Sequence, residues 1–574
     1  MRGISIPRPN DLSWKYIWIF VLPALLFLSL ARPAQAHGGG LHYVTPDGVD
    51  AGPCDNPHAP CQTIRYAIDR ASLGDEVRVA AGYYYSSGVE VSVLLSEVVR
   101  VQGGYSQADG FAVQDARANR TFLLGLDPEY AGPLGARGFT LIRDGKQVDF
   151  LLSPGKPSQQ SERVAIEAQA PTTFTPCAGG IAGVYPCRFV DLLGRIPLSA
   201  FSTNPIAAND IWGYVDPDDN REYALVGLRN GTAVVDVTDP LNPREVGTVQ
   251  GAEAIWRDIK VYGFYNEAQG RWDAYAYVTA DGINDGLQII DLSQLPERVS
   301  LAAIYTGFSR AHNIFIGNVD LATGVALPGT TAYAYITGAD LEEGAFHVLD
   351  LHDPVAPAFE GMPSPGAEYT HDAATFAIDD ERTRDCAPGH NPCELLLDFN
   401  METLDIWDVT DKSSPFKISS TTYPDVGLIH SGWWSPDRRH LFIQDEFDER
   451  RLHHNTRLRT LDISDLTAPF VSNIWTGNTR AIDHNGFVKG THYYMSNYRR
   501  GLTILDVSNP NAPRELGFFD TYPTSNSADY SGAWGVYPYL PSGTILISDI
   551  EGGLFLLKEQ ELTKVYLPML LKSG

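Results

Sequence analysis

The sequence predicts an all-β protein: a seven-bladed β-propeller preceded by a small, truncated β-helix-like module. Three observations carry that prediction. One strand-and-turn phrase recurs seven times between Ala224 and Lys558, a second strand precedes each copy, and the segment ahead of the repeats is written in a different style. A single small antiparallel sheet cannot bury both faces, whereas several stacked radially can.

The phrase is clearest at Gly501-Leu-Thr-Ile-Leu-Asp506-Val-Ser-Asn-Pro-Asn-Ala-Pro513. Its apolar alternation reads as a strand opened by a tight turn at Gly501, and Asp-Val-Ser-Asn-Pro reads as the turn that stops it. The other copies are Gly231 to Pro243, Gly286 to Ser293, Gly344 to Pro357, Glu402 to Pro415, Thr456 to Pro469 and Gly553 to Lys558. Asp236, Asp291, Asp350, Asp408, Asp462 and Asp506 mark one equivalent position. They recur about every 55 residues, near the period of propeller blades and above that of most helical repeats. A carboxylate just before a Thr, Ser or His turn is expected to accept backbone N–H groups, so these six are read as turn formers and not as catalysts.

Taken in order, residues 1–36 carry basic residues, the apolar run Tyr16 to Leu30 and Ala34-Gln-Ala36, the layout of a cleavable secretory signal. Residues 37–125 resemble the N-terminal cap and first rungs of the parallel β-helix of pectate-lyase-like secreted proteins. Thr63 to Ala71 would be the capping helix, with Ile64, Ala67, Ile68 and Ala71 on one face. That resemblance covers one or two coils and carries over no catalytic residue, so the module reads as accessory. Residues 126–175 are rich in Gly, Pro, Ser and Gln and read as a linker with one hairpin at Phe139 to Leu152. The propeller is assigned to 176–560 and a short apolar tail to 561–574, either a last strand or a sorting or docking tag.

The formal net charge is -27. Such acidity argues against nucleic acid and anionic membranes as partners. No second apolar run after the signal is long enough to span a bilayer. The six cysteines fall as Cys54 with Cys61, Cys177 with Cys187 and Cys386 with Cys393. Six cysteines allow 15 pairings, and local pairing is the expectation. Zinc is the rival for any pair, but none has C-x-x-C spacing with a second pair beside it.

Cys177 to Cys187, Asp210-Ile-Trp-Gly, Trp256-Arg-Asp-Ile, Ala311-His-Asn-Ile, Thr370-His-Asp-Ala, His430-Ser-Gly-Trp, Asp483-His-Asn and Gly532-Ala-Trp resemble the choice-of-anchor B proteins. These are secreted bacterial propellers with repeats of the LVIVD type. The resemblance implies a propeller and a secreted or cell-surface location; it implies no defined activity.

The chemical signal lies on the first strand of each blade. In order, the corresponding positions begin at Asp210, Arg257, His312, His371, His430, His484 and Ala533. First strands line the channel of a propeller, so equivalent positions form a ring. Asp210, Trp212, Arg257, Asp258, Asp372, Asp483 and Trp534 are therefore the channel-lining candidates. His312, His371, His430 and His484 are the candidate ligands of a divalent metal, with Asp258, Asp372 and Asp483 as carboxylates that would orient them. The competing reading makes the histidines polar fillers bonded to neighbouring strands. Asp216, Asp218 and Asn220 alternate like a calcium loop but lack its glycine and glutamate, and read as a solvated turn. The charged run Asp445 to His454 reads as a solvated excursion.

Two functions follow. The first is a non-catalytic extracellular propeller that binds a protein or glycan. The alternative is a metal-dependent enzyme, for example an oxidoreductase, working through the histidine column.

Overall fold

The computed structural model describes residues 40–72, 74–85, 94, 99–124, 131–142, 170–254, 256–281, 284–363 and 369–560. The expected signal, the stretch 143–169 of the expected linker and the tail 561–574 lie outside the described residues. Seven antiparallel sheets form seven blades, each a meander in which strand 1 is innermost and strand 4 outermost. The first strands are Ala208–Val215, Ile259–Asn266, Asn313–Gly317, Asp372–Ile378, Ile429–Trp434, Asn485–Lys489 and Ala533–Tyr537. The recurring phrase forms strand 3 of every blade, from Gly231–Asp236 in blade 1 to Gly553–Glu559 in blade 7.

Burial follows radius. Every residue of the second strands Glu222–Leu228 and Cys393–Asn400 is buried, because blades cover both faces, while the fourth strand Ser300–Tyr305 is largely exposed. The pairing of strand 3 with strand 4 slips at one equivalent point in all seven blades, for example at Val234/Val235 and Ile504/Leu505. A bulge increases local twist, so each blade is bent alike. Gly501 sits at φ 75°, where a Cβ would collide with the Phe519 carbonyl.

The six repeat aspartates do what the sequence predicts. Each Oδ1 accepts the N–H two residues on, at 2.8–3.0 Å, from Thr238, Ser293, His352, Thr410, Ser464 and Ser508 in turn. The ring closes with a strand from its other end: Val190–Ile196 pairs antiparallel with Gly553–Glu559 as the fourth strand of blade 7. A hairpin of Ile181–Ala182 and Tyr185–Arg188 extends blade 6 and is tied by Cys177–Cys187. Cys54–Cys61 and Cys386–Cys393 are also disulfides, so the local pairing holds throughout.

The N-terminal module has two parallel three-stranded sheets. One is Leu41–Val44, Glu76–Ala80 and Arg100–Tyr105; the other is Gly82–Tyr85, Thr121–Leu124 and Phe139–Ile142. Phe139–Ile142 thus adds a rung beyond residue 125 by pairing in parallel with Thr121–Leu124, and the second arm of the expected hairpin lies outside the described residues. The capping helix is Ile64–Ile68, with Thr63 Oγ1 accepting the Tyr66 N–H at 3.2 Å, and Ile64, Ala67, Ile68 and Ala71 are all buried. The apolar core of the module is continuous with Ile482, Tyr498, Tyr530 and Trp534 of blades 6 and 7. Arg450 of blade 5 pairs with Asp69 at 2.9 Å. The module is thereby seated on the end of the propeller where strand 1 begins, the end that carries the histidines.

Candidate functional site

Strand 1 of blades 3, 4 and 6 begins immediately after a histidine and that of blade 5 carries its histidine as the second residue, which places His312, His371, His430 and His484 side by side. Successive ring centroids are 4.4, 4.4 and 4.3 Å apart. All four are buried and line a cavity of about 80 Å³. Trp256 and Trp534 flank the arc, at 6.0 Å from His312 and 5.2 Å from His484.

Each ring leans on something behind it. His312 Nδ1 meets Asp281 Oδ2 at 2.9 Å, His371 Nδ1 meets the His430 carbonyl at 3.0 Å, and His484 Nδ1 meets the Trp534 carbonyl at 2.7 Å. His430 leans toward the His484 carbonyl outside good hydrogen-bond geometry. A carbonyl can only accept, so at His371 and His484 the proton sits on Nδ1 and Nε2 keeps its lone pair. Burial, then repulsion from neighbouring imidazoles, holds His371 and His430 well below the usual histidine range, and burial takes His484 down to about 3. These three rings are neutral at pH 7, the form that binds metals.

Glu446 completes the arc. Its carboxylate oxygens lie 3.9 Å from His430 Nε2 and 3.6 Å from His484 Nε2, and Tyr498 Oη donates to it at 2.7 Å. Burial pushes its carboxyl up to about 7. One ligand atom each from His430, Glu446 and His484 lies within 4.8 Å of the others.

Below the arc is a second charged layer. Asp258 accepts the Ile314 N–H at 2.8 Å and pairs with the buried Lys260, whose ammonium sits 4.5 Å from the centre of the Trp212 ring. Burial and the neighbouring Asp258 raise Asp210 well above the usual carboxylate range and Asp372 to about 7. Burial disfavours the Lys260 ammonium, but Asp258 and Asp210 outweigh it and keep it charged.

Asp210, Arg257, Asp258, Asp372 and Trp534 line the cavity as expected. Trp212 does not; it packs edge-on against Phe487 and Tyr537 at 5.8 and 5.1 Å. Asp483 also points elsewhere, into a buried acidic group with Glu449 and Asp448. The carboxylates expected behind the imidazoles are corrected: His312 reaches Asp281, after strand 2 of the preceding blade, and His371 and His484 reach first-strand carbonyls of the next blade. Arg257 donates to the Leu228 carbonyl at 3.1 Å and pairs with Asp285 at 3.3 Å, which ties neighbouring blades.

The largest correction concerns Asp445 to His454. Asp445, Asp448 and Glu449 are fully buried, and Glu446 and Arg450 nearly so, so this run is no solvated excursion. Asp281, Glu446 and Tyr498 all lie just after strand 2 of their blades. In an antiparallel meander the loop between strands 2 and 3 returns to the end where strand 1 begins. That rule, applied to the repeats, would have led from the histidines to Glu446.

The sequence model for the LVIVD repeat matches residues 221–251 and 486–521, which fall in blades 1 and 6. No curated protein matches. Among solved structures, a crystal structure of a protein from Lactobacillus plantarum is similar at 11% identity and a TM-score of 0.36, covering 59% of this chain and 88% of that one. Among the described residues no helix is long and apolar enough to cross a membrane.

Proposed function

We propose that the protein binds a transition-metal ion at the histidine end of the channel. His430 Nε2, His484 Nε2 and the Glu446 carboxylate are the ligands, and His371 and His312 extend the set along the arc. The observation that carries this is the orientation of the rings: ligand atoms converge within 4.8 Å while the far nitrogen of His484 is fixed by a carbonyl. Two imidazoles and a carboxylate suit zinc, iron or copper and leave coordination positions open. Metal–nitrogen bonds of about 2.0–2.1 Å require the three side chains to draw inward by small rotations.

The cavity bounds what such an ion could act on. At about 80 Å³ it admits a few waters or a ligand of a few atoms, well short of the ~300 Å³ at which pockets begin to take drug-sized molecules. The test is metal analysis of protein purified without a polyhistidine tag, with His430→Ala/His484→Ala as the control. About one zinc, iron or copper ion per chain, absent from the variant, supports the proposal; an ion-free wild type after metal loading sinks it.

A second reading rests on a different surface. The outermost strands of blades 2 to 5 expose Leu301, Ile304, Phe359, Phe416, Phe470 and Ile474. Exposed apolar groups recurring on successive blades favour docking of an extracellular protein or glycan. Export and membership of the choice-of-anchor B family belong to the same proposal, supported by the three disulfides and the repeat matches. Pull-down with Phe359→Ser/Phe470→Ser against wild type tests it: equal capture of the same partner would remove this surface from consideration.

A further inference from the structure

Beside the channel site, the run after strand 2 of blade 5 meets the residue before His484. Asp448, Glu449 and Asp483 are fully buried there, and His454 is half-buried. One ligand atom each from Asp448, Glu449 and His454 lies within 4.8 Å of the others. The Glu449 carboxyl also neighbours that of Asp483.

Counting donors exposes a deficit. Arg459 Nη2 donates to Asp448 Oδ2 at 2.6 Å, the Arg457 N–H to Glu449 Oε1 at 3.3 Å, and the Asp445 N–H to Asp483 Oδ2 at 3.3 Å. The second oxygen of each carboxylate, Asp448 Oδ1, Glu449 Oε2 and Asp483 Oδ1, is buried with no N–H or hydroxyl donating to it; what each faces is another carboxyl, Glu449 lying against both Asp448 and Asp483. His454 turns Nδ1 to the Asn455 carbonyl at 2.8 Å, and its Nε2, 3.4 Å from Asp448 Oδ2, has no hydrogen-bond partner. Arg459 is shared with Asp445, whose Oδ2 lies 3.9 Å from Nη1. Asp445 itself is fully served by Tyr423 Oη and the Gly427 and Leu428 N–H groups, at 3.0, 2.8 and 2.7 Å.

Buried acceptors without donors are rare because each forfeits its hydration for nothing in return. Here three of them and an imidazole nitrogen share one neighbourhood around a single guanidinium. We infer a second cation site, in which a divalent ion is held by Asp448, Glu449 and His454, with the Asp483 carboxyl beside Glu449. The carboxylate-rich shell suits calcium or manganese, and the imidazole inclines it to manganese or zinc. The site shares no ligand with His430, Glu446 and His484 and does not depend on an ion there. Its ion would fix Glu449 where it meets Asp483, and so brace the loop that carries Glu446 against the segment that leads into His484.

The experiment uses the full chain without a polyhistidine tag, stripped with chelator and titrated separately with calcium, manganese and zinc chloride. Binding stoichiometry and Tm are read for wild type, for the near-isosteric Glu449→Gln/Asp483→Asn, and for His430→Ala/His484→Ala. The expected result is that the amide variant loses one bound ion per chain and the accompanying Tm rise, about 2 °C or more, while the histidine variant keeps both. Unchanged binding in the amide variant overturns the inference. So does a wild type that gains neither ion nor Tm from any of the three metals, the result expected if the carboxyls share protons. Should the amide variant fail to fold, manganese paramagnetic resonance of the histidine variant decides: a protein-bound spectrum supports the site, and only the aquo ion refutes it.

Discussion

Two sets of carboxylates sit at different radii of one propeller, and they obey different rules. At the rim, the six repeat aspartates each accept the N–H two residues on, and Asp506 is pulled down to about 2 by Ser508 and Arg514. At the mouth of the channel, Asp448, Glu449 and Asp483 are buried among one another, each with an oxygen that no N–H or hydroxyl serves. Residue type is the same; the supply of donors differs. A turn generates its own N–H groups, whereas side chains at the mouth face other side chains, and that difference is what the proposed second cation site rests on.

The strongest way to break this comparison lies in the deeper layer, where the protein supplies its own cation. Lys260 is buried against Asp258, with Asp210 and Asp372 nearby. Lys260→Met leaves those acids without it, and removing one partner of a buried pair costs about 3–5 kcal/mol. Urea unfolding measures the loss. A cost under about 1 kcal/mol would show that the acids are neutral without the lysine, and the deficit argument would fail at the mouth as well.

Next in size is the effect of the proposed channel ion. At a free-ion concentration near 100 times its Kd, an ion that binds the folded chain alone adds about 2.7 kcal/mol. Thermal unfolding with and without zinc should show that gain in wild type and lose it in His430→Ala/His484→Ala. An equal shift in both would place the ion elsewhere.

Asp520 sharpens the comparison because it lies between the two classes. It is buried yet has donors, the Tyr522 N–H at 2.9 Å and the Asn526 amide at 3.3 Å. Burial still wins and raises it to about 7 from 3.8. A raised carboxyl binds its proton more tightly when folded, so its share of stability is full below the unfolded value and is lost as pH rises from 3.8 through about 7. Asp520→Asn should flatten that part of the stability profile between pH 4 and 7, read by urea midpoints. An unaltered profile would mean that two donors suffice to keep a buried carboxylate charged.

The rim was legible in the sequence because its determinants are local. Asp, Ser or Thr and Pro at fixed offsets specify both turn and strand end, and a period of about 55 residues repeats them. The histidine column was legible for the same reason, since a repeat transfers position from one blade to the next. Glu446 was not, because nothing in Asp445-Glu-Phe-Asp-Glu distinguishes a buried charged loop from a solvated one until the second strand is known to end at the channel mouth. The closing strand Val190–Ile196 was hidden too: its partner lies more than 350 residues away, at Gly553–Glu559, and no local pattern encodes that pairing.

The smallest expected effect tests the rim directly. Asp462 is partly exposed, and its Oδ1 accepts the Ser464 N–H at 2.8 Å. Asparagine keeps an oxygen at that position and can close the same turn, so Asp462→Asn should change stability by less than about 0.5 kcal/mol. Alanine keeps no acceptor, and the stranded N–H should cost about 1 kcal/mol. The ordering of the two variants in urea matters more than either value, because it separates a need for an acceptor from a need for charge. If asparagine proved as damaging as alanine, the rim aspartates would be required as anions, and the line between rim and mouth would have to be redrawn around charge.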